Sequence, residues 1–287
     1  MEHIVVTGVN TGIGLAITHY FLEKGYVVFG SVRQEKEAKQ LKMQLGERFE
    51  PLVFDVRDDI AIQAAAQKVS KQTGNQGISL LVNNAGVVVS GPLKHLPTAD
   101  IALQFDINVM GVHRVTSAFL PLLGADLNTT IEQKGMIINI SSISAMVTSP
   151  FLGPYSASKI ALEYLTDALR RELSIYPIRV AIVQPGPVKT PIWAKATAKI
   201  RAYSYHDTDY APIFATAASA SNSSEATAIT PAKVAALVYR VFKTDKPRTR
   251  YIIGYNYLKI KLLSLFPPRW LDYLMTRKLK EKIVSAK

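Results

Sequence analysis

The chain has 287 residues, 48% of them apolar and 20% charged, a globular composition that suits one large α/β domain or two small ones. It contains no cysteine, which excludes a disulfide framework, thiolate metal ligation and a thiol nucleophile. The formal net charge of +12 is compatible with an anionic cofactor, a membrane surface or nucleic acid, and half of it lies in residues 251–287, where eight Lys/Arg face Asp272 and Glu281.

From the N-terminus, "MEHIVVTG" carries no basic region or long apolar stretch, so no signal peptide is expected. No run of about 18 apolar residues suggests a membrane span. "HIVVTG" is a β-branched run ending at Gly, as a buried parallel strand does, and "GLAITHYFLEKG" has helical spacing ending at Gly25. "YVVFGSV", "PLVFDV", "SLLVNNAG", "GMIINISS" and "IRVAIVQPG" read as the second to sixth strands, with helical patterns in most gaps, and "RYIIG" as a seventh. In "ITPAKVAALVYRVF", Thr230 can cap a helix and Pro231 suits its first turn.

This alternation predicts an α/β fold, a Rossmann-type doubly wound parallel sheet of about seven strands with helices on both faces and right-handed crossovers. There is no internal repeat, and residues 1–287 are read as a single domain. Residues 194–228, rich in Ala, Ser and Thr, break the rhythm after a strand end. They are read as the bulk of a substrate lid spanning about residues 187–228, the alternative being a disordered insert.

"TGVNTGIG", Thr7 to Gly14, follows the first strand and opens the first helix. Gly8, Gly12 and Gly14 remove side chains where the backbone must turn tightly and approach a ligand, and the helix N-terminus favours a pyrophosphate. The Gly-x3-Gly-x-Gly spacing differs from the commoner Gly-x-Gly-x-x-Gly. An acidic residue about 20 positions on would accept from the ribose 2′-OH of NAD. Here the second strand ends "GSVRQ" without one, and Arg33, 19 residues after Gly14, suits a 2′-phosphate, with Ser31 as a further hydroxyl. NADP (NADPH) is expected, and NAD is disfavoured.

"GPYSASKIA", Gly153 to Ala161, sets Tyr155 and Lys159 on one helix face. An ammonium beside a phenol favours the phenolate and lowers the tyrosine pKa toward a working pH, which makes Tyr155 an acid for carbonyl reduction and a base for alcohol oxidation. Ser142 closes the fifth strand 13 residues earlier, where it can hydrogen-bond a substrate oxygen. Asn83 and Asn84 end the fourth strand, and Asn108 falls in a helical region, where its side chain competes with backbone hydrogen bonds.

Together these features resemble the short-chain dehydrogenase/reductase superfamily, in its single-domain branch and on its steroid and retinol dehydrogenase side. "TGVNTGIG", "NNAG", "INVMG", "ISS", "YSASK" and "PGPVKT" occur in family order across nearly the whole chain. The resemblance implies that Tyr155 is the catalytic acid/base. It implies that Lys159 lowers the Tyr155 pKa and holds the nicotinamide ribose. Ser142 would polarise the carbonyl, and Asn108 would hold a water in the proton relay. Gly8, Gly12, Ile13 and Gly14 correspond to the phosphate loop. Asp55 matches the position near the adenine, Asn84 the cofactor-contacting loop and Thr190 a residue near the nicotinamide amide. The implied reaction is reversible hydride transfer between a nicotinamide and a secondary alcohol, ketone or aldehyde.

Met146, Val147, Phe151, Leu152, Ile192 and Trp193 follow the fifth and sixth strands without a basic cluster, which suggests a lipophilic, steroid-, retinoid- or fatty-like substrate. An acyl-thioester ketoreductase, a sugar-nucleotide epimerase and a non-catalytic NADP sensor are the competing readings. No nucleic-acid partner is expected, since no basic stripe is interleaved with aromatics outside the tail. The basic extension, about residues 255–287, can place Trp270, Leu271, Leu274, Met275, Leu279 and Ile283 on one helical face, with Arg277, Lys280 and Glu281 elsewhere. That face either lies in a membrane interface or packs on its own domain or a partner subunit. A cytoplasmic homodimer or homotetramer, with or without peripheral membrane contact, is expected.

Overall fold

Successive residues of strand β1 (His3–Val6) point to opposite faces of the sheet, and both faces are covered. The computed structural model describes residues 2–132, 134–192, 194, 205–214, 228–254 and 257–284. Its other strands are β2 (Val27–Val32), β3 (Phe49–Val53), β4 (Leu80–Asn83), β5 (Met136–Ile140), β6 (Arg179–Pro185) and β7 (Arg250–Ile253). They pair in the order β3-β2-β1-β4-β5-β6-β7, every pair parallel. The order reverses between β1 and β4, which opens a crevice at the carboxyl ends of those strands.

The helices whose bounds lie among the described residues include α1 (Gly12–Glu23), α2 (Glu35–Leu45), α3 (Asp59–Thr73), α4 (Thr98–Phe105), α5 (Gly111–Phe119), α6 (Gly153–Glu172), α7 (Pro231–Phe242), α8 (Tyr257–Leu263) and α9 (Pro268–Val284). Ile4 and Val6 join Ile17 and Phe21 of α1, Leu41 of α2 and Val238 of α7 in one core layer. Val5 and Phe29 join Ile62 and Val69 of α3 and Val115 and Phe119 of α5 in the other. Edge-on stacking of Phe21 against Tyr26 and Tyr239, at 5.3 and 5.5 Å, locks α1 to α7.

Two local expectations are corrected. The third strand, read as "PLVFDV", pairs two residues earlier and stops before Asp55, because the Asp55 carboxylate accepts from Arg57 N at 3.0 Å and turns the chain. Thr230 does occupy the N-cap position of α7 with Pro231 behind it, but its hydroxyl makes no capping bond. Asn108 does fall in a helical region, within a π-helical turn, Asp106–Met110, that joins α4 to α5.

Of residues 187–228, read from the sequence as a lid, 187–192, 194, 205–214 and 228 are described, and 205–214 pack through aromatic rings. Phe214 lies 5.1 Å from Phe151 and 5.2 Å from Tyr205, and Tyr210 lies 5.7 Å from Phe151. Trp193 and most of residues 195–227 lie outside the described residues. In α9, Trp270 and Leu274 are exposed, Leu271, Met275 and Leu279 are half-buried, and the Ile283 and Lys280 side chains lie outside the described ones. Among the described residues no helix is long and apolar enough to cross a membrane.

Candidate active site

The first βα turn is a cradle without room for side chains. Gly8 and Gly12 adopt φ of +69° and +63°, which L side chains rarely take. A Cβ on Gly14 would collide with the Gly8 carbonyl and the Asn84 amide. The turn is braced from β4: Asn84 Nδ2 donates to the carbonyls of Thr7 and Gly8 at 2.8 and 3.1 Å, and Asn84 N and Ala85 N both donate to Thr7 Oγ1 at 2.9 Å. Thr7 is thus a structural member of this site that its place in the motif alone did not reveal. Ile13 packs from the first turn of α1 into the core. No acidic residue occupies that first turn and Thr11 makes no side-chain cap, so the helix N-terminus is suited to an anion. Thr190 reaches over the turn, with its Cγ2 3.0 Å from where a Gly12 Cβ would stand. The residues present fit a dinucleotide.

Arg33 is exposed just beyond β2, beside Asp55 just beyond β3. Asp55 holds a second guanidinium, accepting from Arg57 Nε and Nη2 at 2.9 Å each. That hydrogen bonding, with the nearby charge of Arg33, keeps the Asp55 carboxyl below its usual range. Arg57 was not singled out from the sequence, although the Asp-x-Arg spacing at a strand end is a signal for it. Ser31 is buried and accepts from Gly8 N at 3.0 Å, so its hydroxyl oxygen braces the glycine turn while its O–H remains a donor.

Ser142, Tyr155, Lys159 and Asn108 are brought together at the carboxyl ends of β4 and β5, and all are buried. Pro154 occupies the first turn of α6, where its missing N–H costs nothing, and one turn separates Tyr155 from Lys159. Lys159 Nζ lies 5.9 Å from the Tyr155 ring centroid and donates to the Ile140 carbonyl at 2.8 Å. Asn108 grips the loop after β4: its Oδ1 accepts from Val87 N at 2.9 Å, and its Nδ2 donates to Val87 O and Ser158 Oγ at 3.0 and 3.1 Å. A Cβ on Gly86 would stand 3.1 Å from Asn108 Oδ1 and 3.8 Å from Lys159 Nζ, so the "NNAG" glycine lets the loop lie over both.

The electrostatics differ from the simple expectation for a Tyr–Lys pair. Burial pushes the Tyr155 phenol above its ordinary value, and the group that draws it back is Ser142, through a side-chain hydrogen bond. Burial also drives Lys159 from 10.5 down to about 8, opposed by the negative charge of Glu163. Both charged forms are disfavoured by the same dry wall, so Lys159 is not the dominant influence on Tyr155 in this state. Glu163 was missed in the sequence although it continues the Tyr155, Lys159 spacing by one more turn. It is buried and accepts from Ser141 Oγ, Gln184 Nε2 and Arg250 Nε.

The wall beside Tyr155 is apolar, with Val88, Leu152 and Ile192 packed together on it. Met146, Val147 and Phe151 are half-buried nearby in sequence. Phe151 holds φ of +68°, a strained conformation for a bulky residue that its ring contacts with Tyr210 and Phe214 maintain. Lys94 pairs with Asp209 at 2.8 Å, tying residues 205–214 to the loop before α4. Among the described residues no group of His, Asp and Glu could hold a metal ion.

A short chain dehydrogenase family model matches residues 2–201. The chain is 42% identical over 282 residues to an NADPH-dependent 3-dehydrocapnine reductase of Ornithobacterium rhinotracheale, covering 98% of each. It is 34% identical over 196 residues to retinol dehydrogenase 16 of Mus musculus, covering 68% of this chain and 59% of that one. Among solved structures, the closed form of a serine dehydrogenase complexed with NADP+ matches with a TM-score of 0.72 and 25% identity, over 88% of this chain and 94% of that one.

Proposed function

The chain belongs to the short-chain dehydrogenase/reductase family, and from that membership we propose that it reduces a lipophilic ketone to a secondary alcohol with NADPH. The enzyme is an NADP-dependent oxidoreductase acting on a CH–OH or keto group. The observation that carries the finer reading is the buried grouping of Ser142, Tyr155 and Lys159 against the apolar wall of Val88, Leu152 and Ile192. The full-length relative named as a 3-dehydrocapnine reductase supports the reductive direction and makes 3-dehydrocapnine the first ketone to test.

The dinucleotide would be held by the Gly8–Gly14 turn under Thr190, with the brace of Thr7 and Asn84, and by Arg33 and Arg57 at its 2′-phosphate. When bound, it supplies the hydride that reaches the carbonyl carbon. Tyr155 gives its phenolic proton to the carbonyl oxygen as negative charge develops there, and burial keeps that proton in place until then. Ser142, bonded to the phenol before substrate enters, turns its hydrogen bond toward the same oxygen. Lys159, fixed by the Ile140 carbonyl, stabilises the phenolate that remains and, with a proton affinity near neutrality, returns a proton to it. Asn108 is a positioning residue in this scheme. It joins the "NNAG" loop to α6 through Val87 and Ser158, and one Oδ1 lone pair remains for a water.

A homo-oligomer built on α6 fits the same reading, since Ile160, Tyr164 and Leu165 are exposed along that helix. The test of function is NADPH oxidation followed by absorbance against lipophilic ketones, with NADH and Tyr155→Phe as controls. Turnover that requires Tyr155 and prefers NADPH is the expected result. Tight NADPH binding with no turnover on 3-dehydrocapnine or any other ketone would overturn it.

A further inference from the structure

We propose that α8 and α9 together form a docking surface for an anionic lipid bilayer, on an extension that leaves the sheet beside the Gly186–Thr190 loop. Three observations lead there. The first is exposure. Leu258, Leu262, Leu265, Phe266, Trp270 and Leu274 all present large apolar side chains to solvent, Leu265 at 77% and Trp270 at 62%. Leu258 and Leu262 lie one turn apart on α8, and Trp270 and Leu274 lie one turn apart on α9. The Pro267–Pro268 junction bends the chain between the helices, with Leu265 and Phe266 at the corner. Scattered single apolar residues need no explanation, but a run of this density on two consecutive helices does.

The second observation is charge. Residues 257–284 hold seven Lys/Arg against Asp272 and Glu281, and Glu281 is already paired with Arg277 at 2.9 Å. A second copy of the same surface would set this excess of five positive charges against itself, which opposes association through it. A nucleic acid would meet the cations and leave the leucines and Trp270 in water. An anionic bilayer satisfies both, since headgroups pair with the cations while the apolar side chains enter the acyl boundary. At 17 residues, α9 is about 25 Å long, suited to lie along an interface.

The third observation is position. Because β7 runs parallel to β5 and β6, the chain leaves the sheet at the same carboxyl edge that carries Ser142 and the Gly186–Thr190 loop. Gly254 sits against that loop, a Cβ there standing 3.2 Å from Gly186 Cα. The extension therefore starts beside the Gly186–Thr190 loop, at the sheet edge that carries Ser142. Delivery of substrate from the lipid rests on the lipophilic reading above, but the docking does not.

The experiment is co-sedimentation of the full chain, without cofactor or substrate, with vesicles of equal parts phosphatidylglycerol and phosphatidylcholine and with vesicles of phosphatidylcholine alone. Binding to the anionic vesicles is expected to be at least about tenfold tighter, and to weaken as salt rises. The double variant Leu262→Ser, Trp270→Ser is expected to lose about tenfold or more of that binding while keeping the wild-type rate on a small water-soluble ketone. Equal partition onto both vesicles, or no partition onto either at low salt, would overturn the proposal. So would variant binding equal to wild type, or substitutions that split an oligomer while vesicle binding stays intact. A protein that binds vesicles but reduces no ketone would instead refute the function proposed above and leave the docking surface standing.

Discussion

Ser141 Oγ donates to Glu163 Oε1 across 2.6 Å, tying the residue before Ser142 to the helix that carries Tyr155 and Lys159. The same carboxylate accepts from Gln184 of β6 at 2.8 Å and from Arg250 of β7 at 3.0 Å, and Arg250 also pairs with Asp167 at 2.7 Å. One buried carboxylate thus gathers three adjacent strands onto α6.

Replacing Glu163 with Gln keeps the shape and removes the charge. Arg250 retains Asp167, so the loss is expected below that of a fully orphaned buried pair, at about 2 kcal/mol in denaturant unfolding. Removing the charge also removes what holds the Lys159 pKa up. The alkaline fall of the reductive kcat should therefore move to lower pH. An unchanged pH profile beside reduced stability would make Glu163 a purely structural tie.

Lys159 should be a stability liability near neutral pH. Its folded pKa of about 8 lies below the ordinary 10.5, so between those values the unfolded chain binds the extra proton and stability rises with pH. Below pH ~8 the penalty is fully present, at about 3 kcal/mol. Lys159→Met is expected to be the more stable protein at pH 7, with the advantage shrinking as pH rises toward the unfolded value, and to be inactive. Urea unfolding at a series of pH values checks the sign, and a variant less stable than wild type at pH 7 contradicts it.

Tyr155→Phe removes the transferable proton and leaves the ring in its apolar contacts with Val88, Leu152 and Ile192. Turnover is expected to fall by about 10³-fold or more. NADPH affinity, measured by fluorescence titration, should stay within about twofold, because the glycine turn and both arginines lie elsewhere in the crevice.

Arg33→Ala and Arg57→Ala test the two guanidiniums that flank Asp55. Each is expected to weaken NADPH by about tenfold or more and NADH by far less. In Arg57→Ala the Asp55 carboxylate loses its partner and adds repulsion toward a phosphate, so this variant should suffer the larger loss. Equal effects on both dinucleotides would place neither arginine at the 2′-phosphate.

The strands, the alternation with helices, the glycine turn and the Ser, Tyr, Lys spacing were all legible along the chain, because each is a local pattern. A two-residue period marks a strand, a four-residue interval marks one helix face, and a glycine cluster after a strand marks a tight turn. Strand ends were legible less well: Asp55 terminates β3 through its own side chain, which periodicity does not register.

Which distant residues share an environment is set by the folded chain alone. Glu163, Ser141, Gln184 and Arg250 meet because three parallel strands end at one edge beneath α6. Arg57 joins Arg33 because β3 lies beside β2. The protonation balance of Tyr155 and Lys159 likewise follows from burial, which no spacing encodes. Backbone geometry repeats over a few residues and so leaves its mark in sequence. Desolvation and charge pairing depend on groups up to 87 positions apart, as for Arg250 and Glu163, and exist only once the chain has folded.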